Sequence, residues 1–122
     1  MLTNEIMMNQ FVFYAKLKYN CLIQKNKLIM ITENQYFEGN VKSLGFQTSD
    51  GKVTVGVINP GEYEFGTAQR EIMNVIEGEL SALLPNENDW KVYVAGTSFE
   101  VEANTSFKVK ANIQTAYLCQ YK

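Results

Sequence analysis

From Met30 onward, glycines recur at a spacing that no run of helices tolerates. Gly39, Gly45, Gly51, Gly56, Gly61 and Gly66 lie five or six residues apart. Each glycine in a helix interior costs about 1 kcal/mol relative to alanine, whereas this spacing suits short strands punctuated by turns and bulges. Asp50-Gly51 separates Gly45–Thr48 from Val53–Val57, which is a hairpin signal. Glu77-Gly78 does the same between Met73–Ile76 and Leu80–Leu84. Asn59-Pro60-Gly61 is a further turn, Pro85–Asp89 a polar loop and Ala95-Gly96-Thr97 a tight connection. Between these turns the residues alternate with period two. Tyr63, Phe65 and Thr67 share one strand face, Phe99 and Val101 another, Phe107 and Val109 a third, and Tyr117, Cys119 and Tyr121 a fourth. Roughly nine short strands with no convincing helix describe an all-β sandwich or barrel.

Residues 1–29 differ from the rest. Lys16, Lys18, Lys25 and Lys27 stand against Glu5 alone, for a net charge of +3, so the remainder carries −5 of the total −2. The segment has no glycine or proline, lacks the basic start and small-residue cleavage site of a secretory signal, and does not segregate apolar from basic residues as a membrane-surface helix would. It reads as an N-terminal extension, with Met30 a natural start for the domain at 30–122; the alternative is an amphipathic element docked on that domain.

The composition removes several function classes. An acidic balance disfavours a nucleic-acid partner held through phosphates, and no apolar run approaches the ~18 residues of a membrane span. Two cysteines, Cys21 and Cys119, read as unpaired thiols rather than a disulfide scaffold. The chain has no histidine. That excludes Ser-His-Asp triads, Cys-His dyads and His-rich metal sites together.

Glu71 stands seven residues before Gly78, Phe65-Gly66-Thr67 leads into it, and Gly96 leads through Phe99 and Val101 to Phe107. This framing resembles the cupin double motif, whose metal-binding members fill the corresponding slots with three histidines and a glutamate. Here Phe65, Thr67, Glu71 and Phe107 fall in those slots; the other alignment, at Glu64 and Gly66, would turn a charge into the barrel. One carboxylate among two rings and a hydroxyl is a poor metal site, so no metal is expected. The stretches Tyr36-Phe37, Gly39–Phe46, Val55-Gly56-Val57, Gly61–Ala68, Leu83-Leu84-Pro85, Asp89-Trp90 and Tyr117–Tyr121 then resemble, over residues 31–122, the bacterial pyrimidine/purine nucleoside phosphorylases of the cupin fold. The resemblance implies a single cupin-type (RmlC-like) antiparallel barrel or jelly roll. It further implies a cytoplasmic homodimer that converts diverse nucleosides and inorganic phosphate to free base and ribose 1-phosphate, with no cofactor and no nucleic-acid or membrane partner.

The residues admit specific roles within that expectation. Glycosyl transfer builds positive charge on the ribose, which a buried carboxylate offsets; Glu71 is the candidate catalytic residue, or else simply a hydrogen-bonded barrel carboxylate. Tyr63, Phe65 and Phe107, with Thr67, are candidate substrate-binding residues, since any base presents a π-face; core packing is the alternative for each ring. Lys42, Ser43 and Arg70 are candidate phosphate ligands, with solvated surface charge the alternative for Lys42 and Arg70. Three rival functions stay open: a non-catalytic barrel that senses a nucleoside or sugar, a metal-dependent cupin built on Glu62, Glu64 and Glu71, and a structural dimer. Apolar Ile72 and Ile76 on the sheet's second face need cover, from a partner subunit or from the N-terminal segment.

Overall fold

The structure, a computed structural model, describes residues 30–122; the extension read at 1–29 lies outside the described residues. The described chain is all-β apart from one short 3₁₀ turn. Its strands are β1 (Thr32–Tyr36), β2 (Val41–Thr48), β3 (Gly51–Ile58), β4 (Gly61–Gly66), β5 (Glu71–Glu77), β6 (Glu79–Leu83), β7 (Lys91–Val94), β8 (Ser98–Val101), β9 (Ser106–Ala111) and β10 (Thr115–Tyr121), with the 3₁₀ turn at Phe37–Gly39. The strand that alternation does not reveal is β1, because Thr32-Glu33-Asn34-Gln35-Tyr36 has no apolar face to bury. Among the described residues no helix is long and apolar enough to cross a membrane.

Two antiparallel sheets form the barrel. One has six strands in the order β1-β2-β3-β10-β5-β8, the other four in the order β4-β9-β6-β7. The chain alternates between them, as in a jelly roll. Two sequence expectations change accordingly. The β2–β3 hairpin turns at Ser49-Asp50, with Thr48 paired to Gly51, so Gly51 opens the strand rather than closing the turn. Glu77-Gly78 is not a hairpin turn but a corner: β5 pairs with β10 and β8, β6 with β7 and β9. At φ +92° Gly78 takes a backbone that side chains avoid, and a Cβ there would stand 2.5 Å from Thr115 Oγ1. The same Thr115 hydroxyl accepts the Glu79 N–H at 3.1 Å, so the corner is held by the residue that forbids a larger one.

The expected alternation is otherwise present. Phe107, Val109 and Ala111 of β9 and Thr115, Tyr117 and Cys119 of β10 point inward and are buried. Leu80, Val109, Val101, Ile58 and Val41 form the dense part of the core. The inner face of the β2–β3 pair is unusual: it carries Ser43, Gly45, Thr54 and Gly56, while Leu44, Val55 and Val57 face outward and are exposed. A sheet with small or polar residues inside leaves unfilled space next to that core. Leu80→Ala, at a fully buried position, is expected to lose about 2–5 kcal/mol of stability, read by urea unfolding.

Candidate active site

The unfilled space is a cleft of ≈ 460 Å³ on the inner face of the larger sheet, large enough for a small organic molecule. Strand register orders its lining into rows. Tyr121 pairs with Glu71 in one row; Gly45, Thr54, Cys119, Met73 and Phe99 make the next; Ser43, Gly56, Tyr117 and Val75 the third. Rows two residues apart are separated by ~7 Å along the strands. Lys52 joins Glu71 at the first row, its Nζ 5.0 Å from the Tyr121 ring centroid, and Glu64 of β4 is the other charged lining residue. Aromatic groups line the wall contributed by the smaller sheet and the 3₁₀ turn: Phe65 and Phe107, paired in register across β4 and β9 with ring centroids 5.7 Å apart, and Phe37.

The electrostatics of the first row follow from burial. Loss of water raises the pKa of Glu71 above the ordinary glutamate range, partly offset by the Cys119 thiol turned toward it and by the charge of Lys52. Burial pushes Cys119 up to about 12, helped by the Glu71 charge, and likewise lifts Tyr117 to about 12, partly offset by the Ser43 hydroxyl. Tyr121 is raised too, again mainly by burial. The thiol and both phenols therefore stay protonated at neutral pH. Cys119 is no nucleophile, and the acid–base character of the row resides in Glu71 beside Lys52, the one cation among the described cleft residues.

The structure brings together four of the eight candidate residues. Glu71, Phe65, Phe107 and Ser43 line the cleft. Thr67 does not: its hydroxyl donates to the Glu102 carbonyl at 2.7 Å and accepts the Thr105 N–H at 3.1 Å, clipping the β8–β9 loop to β4. Tyr63 is buried behind the aromatic wall, its phenol donating to the Asn59 carbonyl at 2.8 Å. Lys42 sits on the outer face of β2, one residue from inward-facing Ser43 and so on the opposite side of the sheet. Arg70 pairs with Glu100 at the surface, outside the cleft. Tyr117 and Tyr121 also line the cleft, on the strand face that alternation gave them but without a site role, and Lys52 and Phe37 are lining groups that alternation missed. In β3 the valines look like the core face, which turns Lys52 outward; the true inner face is the polar one.

A profile of the family described as pyrimidine/purine nucleoside phosphorylase matches residues 31–121. This chain belongs to the pyrimidine/purine nucleoside phosphorylase family. Its relatives include the proteins of that name from Teredinibacter turnerae, 56% identical over 75% of this chain and 98% of the relative, and from Pseudomonas syringae pv. syringae, 54% identical over 76% and 100%. Among solved structures, a protein of unknown function from Vibrio parahaemolyticus superposes with a TM-score of 0.74 at 49% identity, covering 76% of this chain and 99% of the other. An RmlC-like cupin from Shewanella frigidimarina superposes with a TM-score of 0.60 at 17% identity, over 78% and 84%, and shares the fold. The family's matched span takes in every lining residue of the cleft.

Glu71 is held in the cleft against its own hydration. A carboxyl whose pKa rises on folding destabilises the native state once ionised; the cost is absent below the ordinary glutamate pKa and complete above the raised one. Glu71→Gln is therefore expected to melt above the parent protein at about pH 8, with the difference vanishing near pH 4, as followed by thermal unfolding across that range.

Proposed function

We propose that this protein is a nucleoside phosphorylase of broad base specificity, taking a purine or pyrimidine nucleoside and inorganic phosphate to free base and α-D-ribose 1-phosphate without a resident metal. The observation that carries the reading is a half-buried carboxylate, Glu71, in the field of Lys52 at one end of a cleft whose other wall is aromatic. Phosphorolysis needs these three environments together. A phosphate oxygen bonds to ribose C1′ as the C1′–N bond breaks; the electron pair leaves with the base nitrogen, which takes up the proton that phosphate gives away. Positive charge grows on the ribose as this happens, and a carboxylate in a water-poor site opposes it more strongly than one in water. A lysine at the charged end attracts phosphate as a point charge. Aromatic walls hold any base by its face. Among the described residues no three histidine, cysteine, aspartate or glutamate side chains gather to hold a metal ion.

The same reading takes the enzyme as a cytoplasmic homodimer. Support for the dimer comes from exposed Leu44, Val55, Val57 and Ile76 on the outer face of the larger sheet.

Chelator-treated protein incubated with uridine, cytidine, inosine and adenosine is expected to release free base only when phosphate is present, as followed by chromatography. Absence of release from every nucleoside by folded protein would overturn the reading and leave a non-catalytic binding barrel. Glu71→Gln is expected to lower kcat by about 10²–10³-fold. Lys52→Gln should raise the KM for phosphate by about tenfold while sparing that for nucleoside. Thr67→Val, outside the cleft, should lose about 1–3 kcal/mol of stability and keep both KM values.

A further inference from the structure

Tyr36 leaves β1 in an extended conformation, and the chain then makes a left-handed turn. Phe37, Glu38 and Gly39 have φ of 51°, 57° and 87° in succession. Only glycine enters that region freely, and a bulky aromatic residue there is a rare outlier. The turn survives because its neighbours over-determine it. Asn40 donates to the Phe37 carbonyl twice, from its backbone N–H at 3.1 Å and from Nδ2 at 2.9 Å. Asn59 braces Asn40 in turn, its backbone N–H donating to the Asn40 carbonyl at 2.8 Å and its Nδ2 to Asn40 Oδ1 at 3.2 Å. Asn59 Oδ1 accepts from Gln114 Nε2 at 2.8 Å, and the Asn59 carbonyl accepts the Tyr63 hydroxyl that fixes the ring beneath Phe37.

What this bracing delivers is one phenyl ring. Phe37 lines the cleft, yet 43% of its surface is exposed. Its centroid lies 5.1 Å from Tyr63 and 5.5 Å from Phe65, the latter nearly perpendicular at 87°. An edge contact of that kind leaves a ring face unmatched by protein. Glycine would fit the backbone without strain, and half-burial of a phenyl ring is weak recompense for a left-handed aromatic residue. Strain of this sort persists where it serves a site.

We infer that Phe37 is a stacking platform for the nucleobase, and that the left-handed turn exists to hold its ring over the cleft. This rests on the nucleoside reading above and assigns the base to one end of the cleft. Neither Phe37 nor Phe65 offers a hydrogen-bonding group, so the platform takes any planar heteroaromatic ring and does not distinguish a purine from a pyrimidine. Asn40 is a positioning residue, acting through the Phe37 carbonyl.

The test uses the full chain and three substitutions. Phe37→Leu keeps apolar contact with Tyr63 and Phe65 but has no π-face; it should raise the KM for both uridine and inosine by about five- to hundredfold with the phosphate KM unchanged. Phe37→Ala should match it. Phe37→Trp should retain the parent KM, and its fluorescence should be quenched saturably by uridine and by inosine without phosphate. The parent's one tryptophan, Trp90, is not among the cleft residues and supplies the background. A parent-like nucleoside KM in folded Phe37→Leu, or no quenching of the tryptophan variant, overturns this inference. Quenching without base release by any variant or the parent leaves the platform standing and overturns the phosphorylase reading instead.

Discussion

Everything in the cleft depends on the small residues facing inward from β2 and β3. Gly56 is the sharpest case: a Cβ at this position would stand 2.5 Å from the Tyr117 ring, so any larger residue displaces the tyrosine. Ser43 and Gly45 on β2 and Thr54 on β3 extend the same floor. With this floor in place Tyr117 lies flat across the sheet, and Cys119, Tyr121 and Glu71 project into space rather than into a packed core. A valine or leucine at Gly56 would collide with the Tyr117 ring and close the floor of the site.

Two further features run against stability in the same region. Glu71 is half-buried, which disfavours its ionised form, and Phe37 occupies a backbone conformation that phenylalanine avoids. Both are tolerated because the dense half of the barrel, around Leu80, Val109, Val101 and Ile58, is fully packed. The protein thus divides its interior into a half that stabilises and a half that binds. Lys52 and Glu71 share one row, while Phe37 and Phe65 supply the aromatic wall, where Glu64 also lines the cleft.

Much of the fold was legible because glycine spacing and period-two alternation are local. Phe65, Phe107 and Glu71, framed by glycine turns and alternation, line the cleft, and so does Ser43, which the sequence offers only as a candidate phosphate ligand beside Lys42. Legibility failed where the usual meaning of alternation inverts. In β3 the apolar positions Val55 and Val57 point outward and the polar ones line the site, so Lys52 was hidden by a pattern that looked like an ordinary core strand. Lys42, one residue from Ser43, lies on the other side of the sheet from the cleft, an exposed position that its sequence alone does not distinguish from a ligand position. Thr67 has the right parity, but its hydroxyl is consumed by the carbonyls of a loop more than thirty residues away, a tertiary contact that no local pattern encodes. Phe37 entered only within the Tyr36-Phe37 stretch of the family resemblance; its place at the cleft left no local signal, since a left-handed aromatic residue is what sequence rules exclude.

The position of β10 has a consequence for how the molecule comes to exist. This strand lies in the middle of the larger sheet, between β3 and β5, and it is the last strand in chain order. On a ribosome the β2–β3 hairpin forms early, but its inner edge stays unsatisfied until residues 115–121 emerge. Pairings between strands so distant in sequence form slowly compared with local ones. The barrel therefore closes only after nearly the whole domain has been made, and until then the valine-rich β3 is an open edge for any neighbouring strand to join. The polar β1, laid along the other side of that hairpin, blunts one flank of this growing ribbon while the second waits for its partner.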